Sequence, residues 1–231
     1  MTVLNWTIAL PELVLACAAM LTLVAGAFAG RAANVVSASM SVAGLLLTAV
    51  LVLTQGTGAA VGFSGTFVTD GFAAFIKLLC LAAAVAAILM GREWLAAEKI
   101  ETFEFHVLIQ LATLGMLVMS SANDLMTLYL GLELQSLALY VIAAFARDNV
   151  RSSEAGLKYF VLGALASGLT LYGSSLVYGF TGTTQFRGIA LALSGGTPGI
   201  GLLVGLCFIA AGLAFKVSAV PFHMWTPDVY E

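Results

Sequence analysis

The sequence predicts an all-α polytopic membrane protein of about seven transmembrane helices, the last broken near Pro221. Two observations carry this. Of 231 residues, 61% are hydrophobic and only 9% are charged, whereas a soluble domain carries about a quarter charged residues. The apolar residues also fall into runs of about 20, the length at which a helix crosses the hydrocarbon core with its backbone hydrogen bonds satisfied internally. The net charge of −3 is small and scattered, which gives no footing for nucleic acid.

The runs lie near residues 9–29, 35–54, 71–90, 105–122, 125–146, 153–179 and 199–224. The first has no basic residue before it and is followed by further spans, so it is expected to stay in the mature protein and not to be cleaved as a signal. Residues 56–70, rich in Gly and Thr, read as a loop or hairpin. Residues 91–104 carry Arg92, Glu93, Glu98, Lys99, Glu101 and Glu104 and read as an interfacial linker. This linker divides the chain into helices one to three (1–104) and helices four to seven (105–231). Residues 184–193 fit a short surface helix before the breaker run 194–199.

Alternate loops carry Arg31, Arg92, Lys99, Arg147 and Arg151, and the opposite side carries only Arg187. Basic residues accumulate on the cytoplasmic side, so this asymmetry places the N-terminus outside. Gly26/Gly30, Gly201/Gly205 and Ala164/Gly168 have the four-residue spacing of close helix contacts. Trp6, Trp94 and Trp225 fit interfacial belts. Cys17, Cys80 and Cys207 stand apart inside apolar runs and read as inert thiols. No metal-ligand spacing, phosphate loop or dinucleotide fingerprint occurs, so no metal-binding or cofactor-binding residues are assigned and direct nucleotide use is unsupported.

Ionisable side chains at membrane depth are costly and default to functional hypotheses. Four such candidates stand out: Lys77, Glu133, Lys158 and Lys216. Glu133, in Tyr129-Leu-Gly-Leu-Glu-Leu-Gln-Ser-Leu, lies ~12 Å from the outer end of its helix, too deep for a short side chain to reach water. A carboxylate there needs a cation, water or a proton, and its charge state answers to those surroundings; a static interhelical ion pair is the competing reading. Lys216, in Gly212-Leu-Ala-Phe-Lys-Val-Ser-Ala-Val-Pro-Phe-His, is expected mid-span beside a helix that Pro221 breaks, where freed carbonyls can line a wet cavity. Lys158 is ~10 Å above Arg151, within snorkelling reach, and about 10 Å shallower than Glu133, so a direct pair between those two is not expected. Lys77 is expected to snorkel to the nearer interface. His223 suits a proton relay because imidazole exchanges protons near neutral pH, and a packing histidine is the alternative. His106 is expected at the interface.

The segment Phe215-Lys-Val-Ser-Ala-Val-Pro-Phe-His-Met-Trp-Thr-Pro-Asp-Val-Tyr-Glu resembles the signature of the antiporter-like membrane subunits of respiratory complex I (NADH–quinone oxidoreductase), and Gly131-Leu-Glu-Leu-Gln-Ser-Leu resembles their fifth-helix glutamate motif. The Pro-Asp-Val-Tyr-Glu ending is similar to one branch of that family, whereas sister branches and the multisubunit sodium/proton antiporters usually read Leu-Pro-Asp-Ala. The resemblance implies about fourteen helices with two inverted five-helix repeats, each holding a broken helix. It implies a non-redox, proton-translocating role in which Glu133, Lys158, Lys216 and His223 match the family's fifth-helix glutamate, sixth-helix lysine, seventh-helix lysine and post-proline histidine. It places NADH, FMN, iron–sulfur clusters and quinone in partner subunits. The implied partners are the other membrane subunits, the lipid bilayer and protons, in the inner (plasma) membrane of a bacterium. Family members continue for about as long again, so the expected object is an incomplete inverted-repeat antiporter-like fold, a piece of a longer subunit truncated before the eighth helix. The rival readings are a cation/proton antiporter subunit, a structural membrane spacer and a direct quinone-binding enzyme; for the last, no site can be pointed to.

Overall fold

The computed structural model describes residues 6–56, 58–98, 100–195 and 199–230. Lys99 of the expected linker, residues 196–198 of the breaker run and Glu231 of the terminal motif lie outside the described residues. The chain forms two compact units, Met1–Ala122 with Leu130–Ile142, and Asn123–Tyr129 with Ala143–Glu231.

In the first unit a 3-10 turn, Trp6–Ala9, leads into α1 (Leu10–Phe28), with Pro11 in the opening turn, where its missing N–H leaves no bond unmade. A tight turn with Gly30 at φ +54 reverses the chain into α2 (Ala33–Gln55). The loop expected after it is a hairpin. Strand β1 (Ala60–Gly62) pairs antiparallel with β2 (Phe67–Thr69), Val61 opposite Val68. Asp70 then caps α3 (Gly71–Ala97), its Oδ1 accepting from the Ala73 N–H at 2.7 Å. Helices α4 (Glu104–Ser120) and α5 (Leu125–Ala143) follow.

The core of this unit contains Leu15, Leu45, Leu81, Ile88 and Leu117, each at most 1% exposed. Lipid is as apolar as leucine, so close packing and not the hydrophobic effect must hold the helices together. Glycines permit it. A Cβ at Gly115 would lie 2.5 Å from the Gln135 nitrogen and 2.7 Å from the Gly131 oxygen, so α4 and α5 meet backbone to backbone.

In the second unit Asn149 caps α6 (Val150–Thr181) by accepting from the Arg151 N–H at 3.0 Å, and Gly182 closes it in the left-handed region at φ +72. The short helix expected near 184–193 is α7 (Phe186–Ser194), followed by α8 (Ile200–Lys216) and the one-turn α9 (Thr226–Tyr230). Helices α6 and α8 pack through Gly173 and Gly205, and Gly212 lies against Thr170 and Ala166. Leu125, Val177, Ile189, Leu202 and Ile209 form the core beneath them.

Among the described residues, five helical segments are long and apolar enough to cross a membrane: Trp6–Phe28, Gly30–Gln55, Gly71–Ala97, Leu125–Ala143 and Val150–Thr181. The apolar helices α4 and α8 have 17 residues each, ~25 Å at 1.5 Å per residue, the short end of what spans.

Four expectations change. The third helix continues to Ala97 instead of stopping near residue 90, because its charged residues turn outward while Leu95 stays buried. The last helix ends at Lys216, not at 224. The Ala164/Gly168 face is exposed and a Cβ at Gly168 would meet nothing within 4 Å among the described residues, the close contact falling to Thr170 and Gly173. Trp225, expected in an interfacial belt, is buried against protein.

Candidate functional site

Lys77 does not snorkel. It shares its helix face with Leu81, Ala84 and Ile88 at helical spacing, and that face is the core face, so the side chain is 0% exposed. Its Nζ lies 2.6 Å from Glu12 Oε1 of α1 and 5.2 Å from the centre of the Phe67 ring on β2. A cation at that distance from a ring face is attracted by the ring quadrupole. One buried lysine thus joins α1, α3 and the hairpin. Glu12 escaped the reading of the sequence because it opens an apolar run directly after Pro11. The available signal was depth, since Glu12 and Lys77 both lie near the same end of their spans.

Glu133 lies on α5, two residues after the Gly131 that touches α4. At 3.6 residues per turn it is rotated about 200° from that contact, so it faces away from α4 and is half-buried.

In the second unit Lys158 lies 2.8 Å from Glu154, one turn back on α6, and 3.1 Å from Asp228 on α9. Both ends are about two-fifths exposed or more, so this is a screened pair worth at most ~1 kcal/mol. Trp225 anchors α9. Its ring stacks on Tyr159 of α6 at 4.4 Å, and its Nε1–H donates to the Phe215 carbonyl at 3.2 Å. The buried indole thus has its N–H paired. Asp228 also escaped notice as a site residue, although its motif was visible.

Lys216 is half-buried and is the last residue of α8. The helix closes there by a Schellman motif: Ala219 N–H donates to the Ala214 carbonyl at 2.8 Å and Ser218 N–H to the Phe215 carbonyl at 3.1 Å. Ser218 takes the left-handed position at φ +55, where glycine is usual. The final carbonyls leave a partial negative charge at this end, which favours a cation beside it. Pro221 explains why the helix cannot resume at once: it has no N–H to donate and restricts Val220. His223 lies in the irregular stretch beyond and is exposed, its carbonyl accepting from the Thr226 N–H at 3.0 Å.

His106, in the first turn of α4, is fully buried in protein. Phe103, just before α4, lies against Gly26 of α1 and draws the first turn of α4 into the bundle. Among the described residues, no group of three or more side chains is placed to hold a metal ion.

A family model described as "NADH:quinone oxidoreductase/Mrp antiporter, TM" matches residues 122–231. The chain is 57% identical over 224 residues to NADH-quinone oxidoreductase subunit N of Beijerinckia indica subsp. indica, covering 96% of this chain and 46% of that protein. It is 53% identical over 231 residues to subunit N of Rhodobacter capsulatus, covering 100% and 48%. The chain belongs to the antiporter-like subunit family. It spans about half the length of these relatives. Among solved structures, the respiratory complex I of Thermus thermophilus with bound aureothin contains a chain similar to this one, with a TM-score of 0.78 and 31% identity over 95% of this chain and 47% of that one. The Mrp complex of Dietzia sp. DQ12-45-1b contains a chain that shares the fold, with a TM-score of 0.77 and 22% identity over 98% and 44%.

Proposed function

We propose that this chain acts as a non-redox, proton-translocating membrane subunit of an NADH–quinone oxidoreductase. In this reading Glu133, Lys158, Lys216 and His223 handle protons, while NADH, FMN, iron–sulfur clusters and quinone belong to partner subunits. The multi-pass chain lies in a bacterial inner (plasma) membrane with its N-terminus outside, as its basic loops favour. Residues 105–231 supply helices four to seven of the first antiporter-like repeat. The observation that carries the reading is the termination of α8 at Lys216. Irregular backbone is tolerated at membrane depth only where it is buried in protein or lines a wet cavity, and here a lysine stands at that point. Lys158 and Lys216 are the proton-holding cations and Glu133 the switchable anion. Interactions between such charges are strong because a membrane interior screens poorly.

The test places Glu133→Gln in the full-length subunit of the assembled oxidoreductase. NADH-driven proton uptake into inverted vesicles and NADH–quinone turnover are measured, with assembly checked separately. The reading expects both rates to fall while assembly holds. Normal rates would leave Glu133 dispensable and favour a structural spacer, and sodium-dependent exchange without NADH would favour a cation/proton antiporter.

A further inference from the structure

The first unit buries a polar group that the proposed proton route does not use. Gln110 Nε2 and Oε1 and Ser41 Oγ are all buried and have no hydrogen-bond partner among the described residues, and the buried ring of His106, which has only the Phe103 backbone to bond to, leaves at least one nitrogen unpaired beside them. All three residues are 0% exposed. A buried polar atom left unpaired is expensive, and native proteins supply it with a protein or water partner.

Helix register brings these atoms to one depth. A Cβ at Gly44 of α2 would lie 3.5 Å from Gln110 Nε2 of α4 and 2.8 Å from the Ala18 Cβ of α1. That shared contact aligns the three helices. Moving from it away from the hairpin end, Ser41 lies ~4.5 Å along α2, His106 ~6 Å along α4 and Thr22 ~6 Å along α1. Thr22 is also 0% exposed, and its hydroxyl donates to the Ala18 carbonyl at 2.8 Å, which leaves its oxygen free to accept. Three helices therefore each present a polar group at the same level. Toward the hairpin the buried Leu15, Leu45, Leu114 and Leu117 separate this level from the Glu12–Lys77 pair. Toward the other end lie Glu104, with a buried Oε2, and Glu101, which pairs with Arg92 at 3.7 Å and accepts from Asn34 Nδ2 through its carbonyl at 3.1 Å.

We propose that Ser41, His106 and Gln110, with Thr22, form an internal water-binding site within α1, α2 and α4. Water is the occupant that fits. It donates and accepts, as an imidazole, an amide and a hydroxyl together require, whereas an anion would find no cationic partner in this set and a metal ion no carboxylate. Gln110 Nε2 and Oε1, Ser41 Oγ, one His106 ring nitrogen and the accepting Thr22 oxygen, at roughly three hydrogen bonds per buried water, call for about two molecules. The site stands apart from Glu133 and Lys216, so its test does not depend on the proton-translocation reading.

The test is a cryo-electron microscopy map of the assembled complex with the full-length subunit, at a resolution that shows ordered solvent. About two solvent peaks are expected, each within about 3.2 Å of polar atoms of two or more of these residues. In a His106→Phe complex the peak bonded to the imidazole should be lost. A wild-type map with no peak there, while peaks at equal depth elsewhere in the subunit are visible, would overturn the site. So would a peak that persists unchanged in the His106→Phe complex. If that variant does not assemble, the wild-type map alone decides.

Discussion

Replacing Lys77 with methionine removes the cation from a pair whose side chains are only 1% and 6% exposed. Solvent screening therefore gives little relief, and the Glu12 carboxylate is left in an apolar core beside Leu15 and Leu81. Breaking a buried pair by deleting one partner costs about 3–5 kcal/mol, and the lost ring contact to Phe67 adds ~0.5–2 kcal/mol. The double variant Glu12→Gln/Lys77→Met also loses the ring contact but strands no charge. Replacing both members of a buried pair by groups of similar volume is about neutral. The double variant should therefore recover at least ~2 kcal/mol relative to Lys77→Met. The assay is the heat-dependent loss of the full-length subunit from the assembled complex, compared across wild type, both single variants and the double. The reasoning fails if Lys77→Met is as stable as wild type, or if the double variant is no more stable than the single.

Other outcomes follow from the same geometry. Gly115→Val should destabilise the first unit by about 1–3 kcal/mol or more, because a Cβ there would overlap the α5 backbone; the same heat-dissociation assay reads it. Ser218→Val should cost ~2 kcal/mol, from a β-branched residue in the left-handed position and a lost hydroxyl pair with Thr226, whereas Ser218→Gly should stay within about 1 kcal/mol of wild type. Trp225→Phe should cost ~1 kcal/mol by removing the donor to Phe215 while keeping the ring, and Trp225→Ala about 3–5 kcal/mol; limited proteolysis near residue 225 reports the release of α9. Asp228→Asn should change stability by less than ~1 kcal/mol, since its pair with Lys158 is half-exposed, yet lower proton uptake if Lys158 holds a transported proton.

The spans were legible because lipid imposes a single rule, that apolar runs of sufficient length become helices, and α1 to α6 lie within a few residues of the expected runs except at the C-terminal end of α3. That end was misplaced because charge marks where lipid ends, not where a helix ends. Position along a helix also says nothing about which way a side chain faces. Lys77 is near enough to an interface to snorkel, yet its neighbours at helical spacing are core residues, so it points inward to Glu12. The same ambiguity hid His106, whose burial depends on Phe103 meeting Gly26 across 77 positions of sequence. Pro221 marked a broken helix correctly, but its end at Lys216 depends on two backbone hydrogen bonds and the positive φ of Ser218, for which serine gives no signal. Glu133 and Lys216 stood out because a charge inside an apolar run is rare enough to be seen without any structure.

The central claim, that Lys216 holds a transported proton, is tested most directly by the number of protons taken up per NADH oxidised in vesicles carrying Lys216→Gln in the assembled complex. A lower ratio, or a parallel loss of uptake and turnover, is expected with normal assembly. An unchanged ratio at unchanged turnover would contradict it.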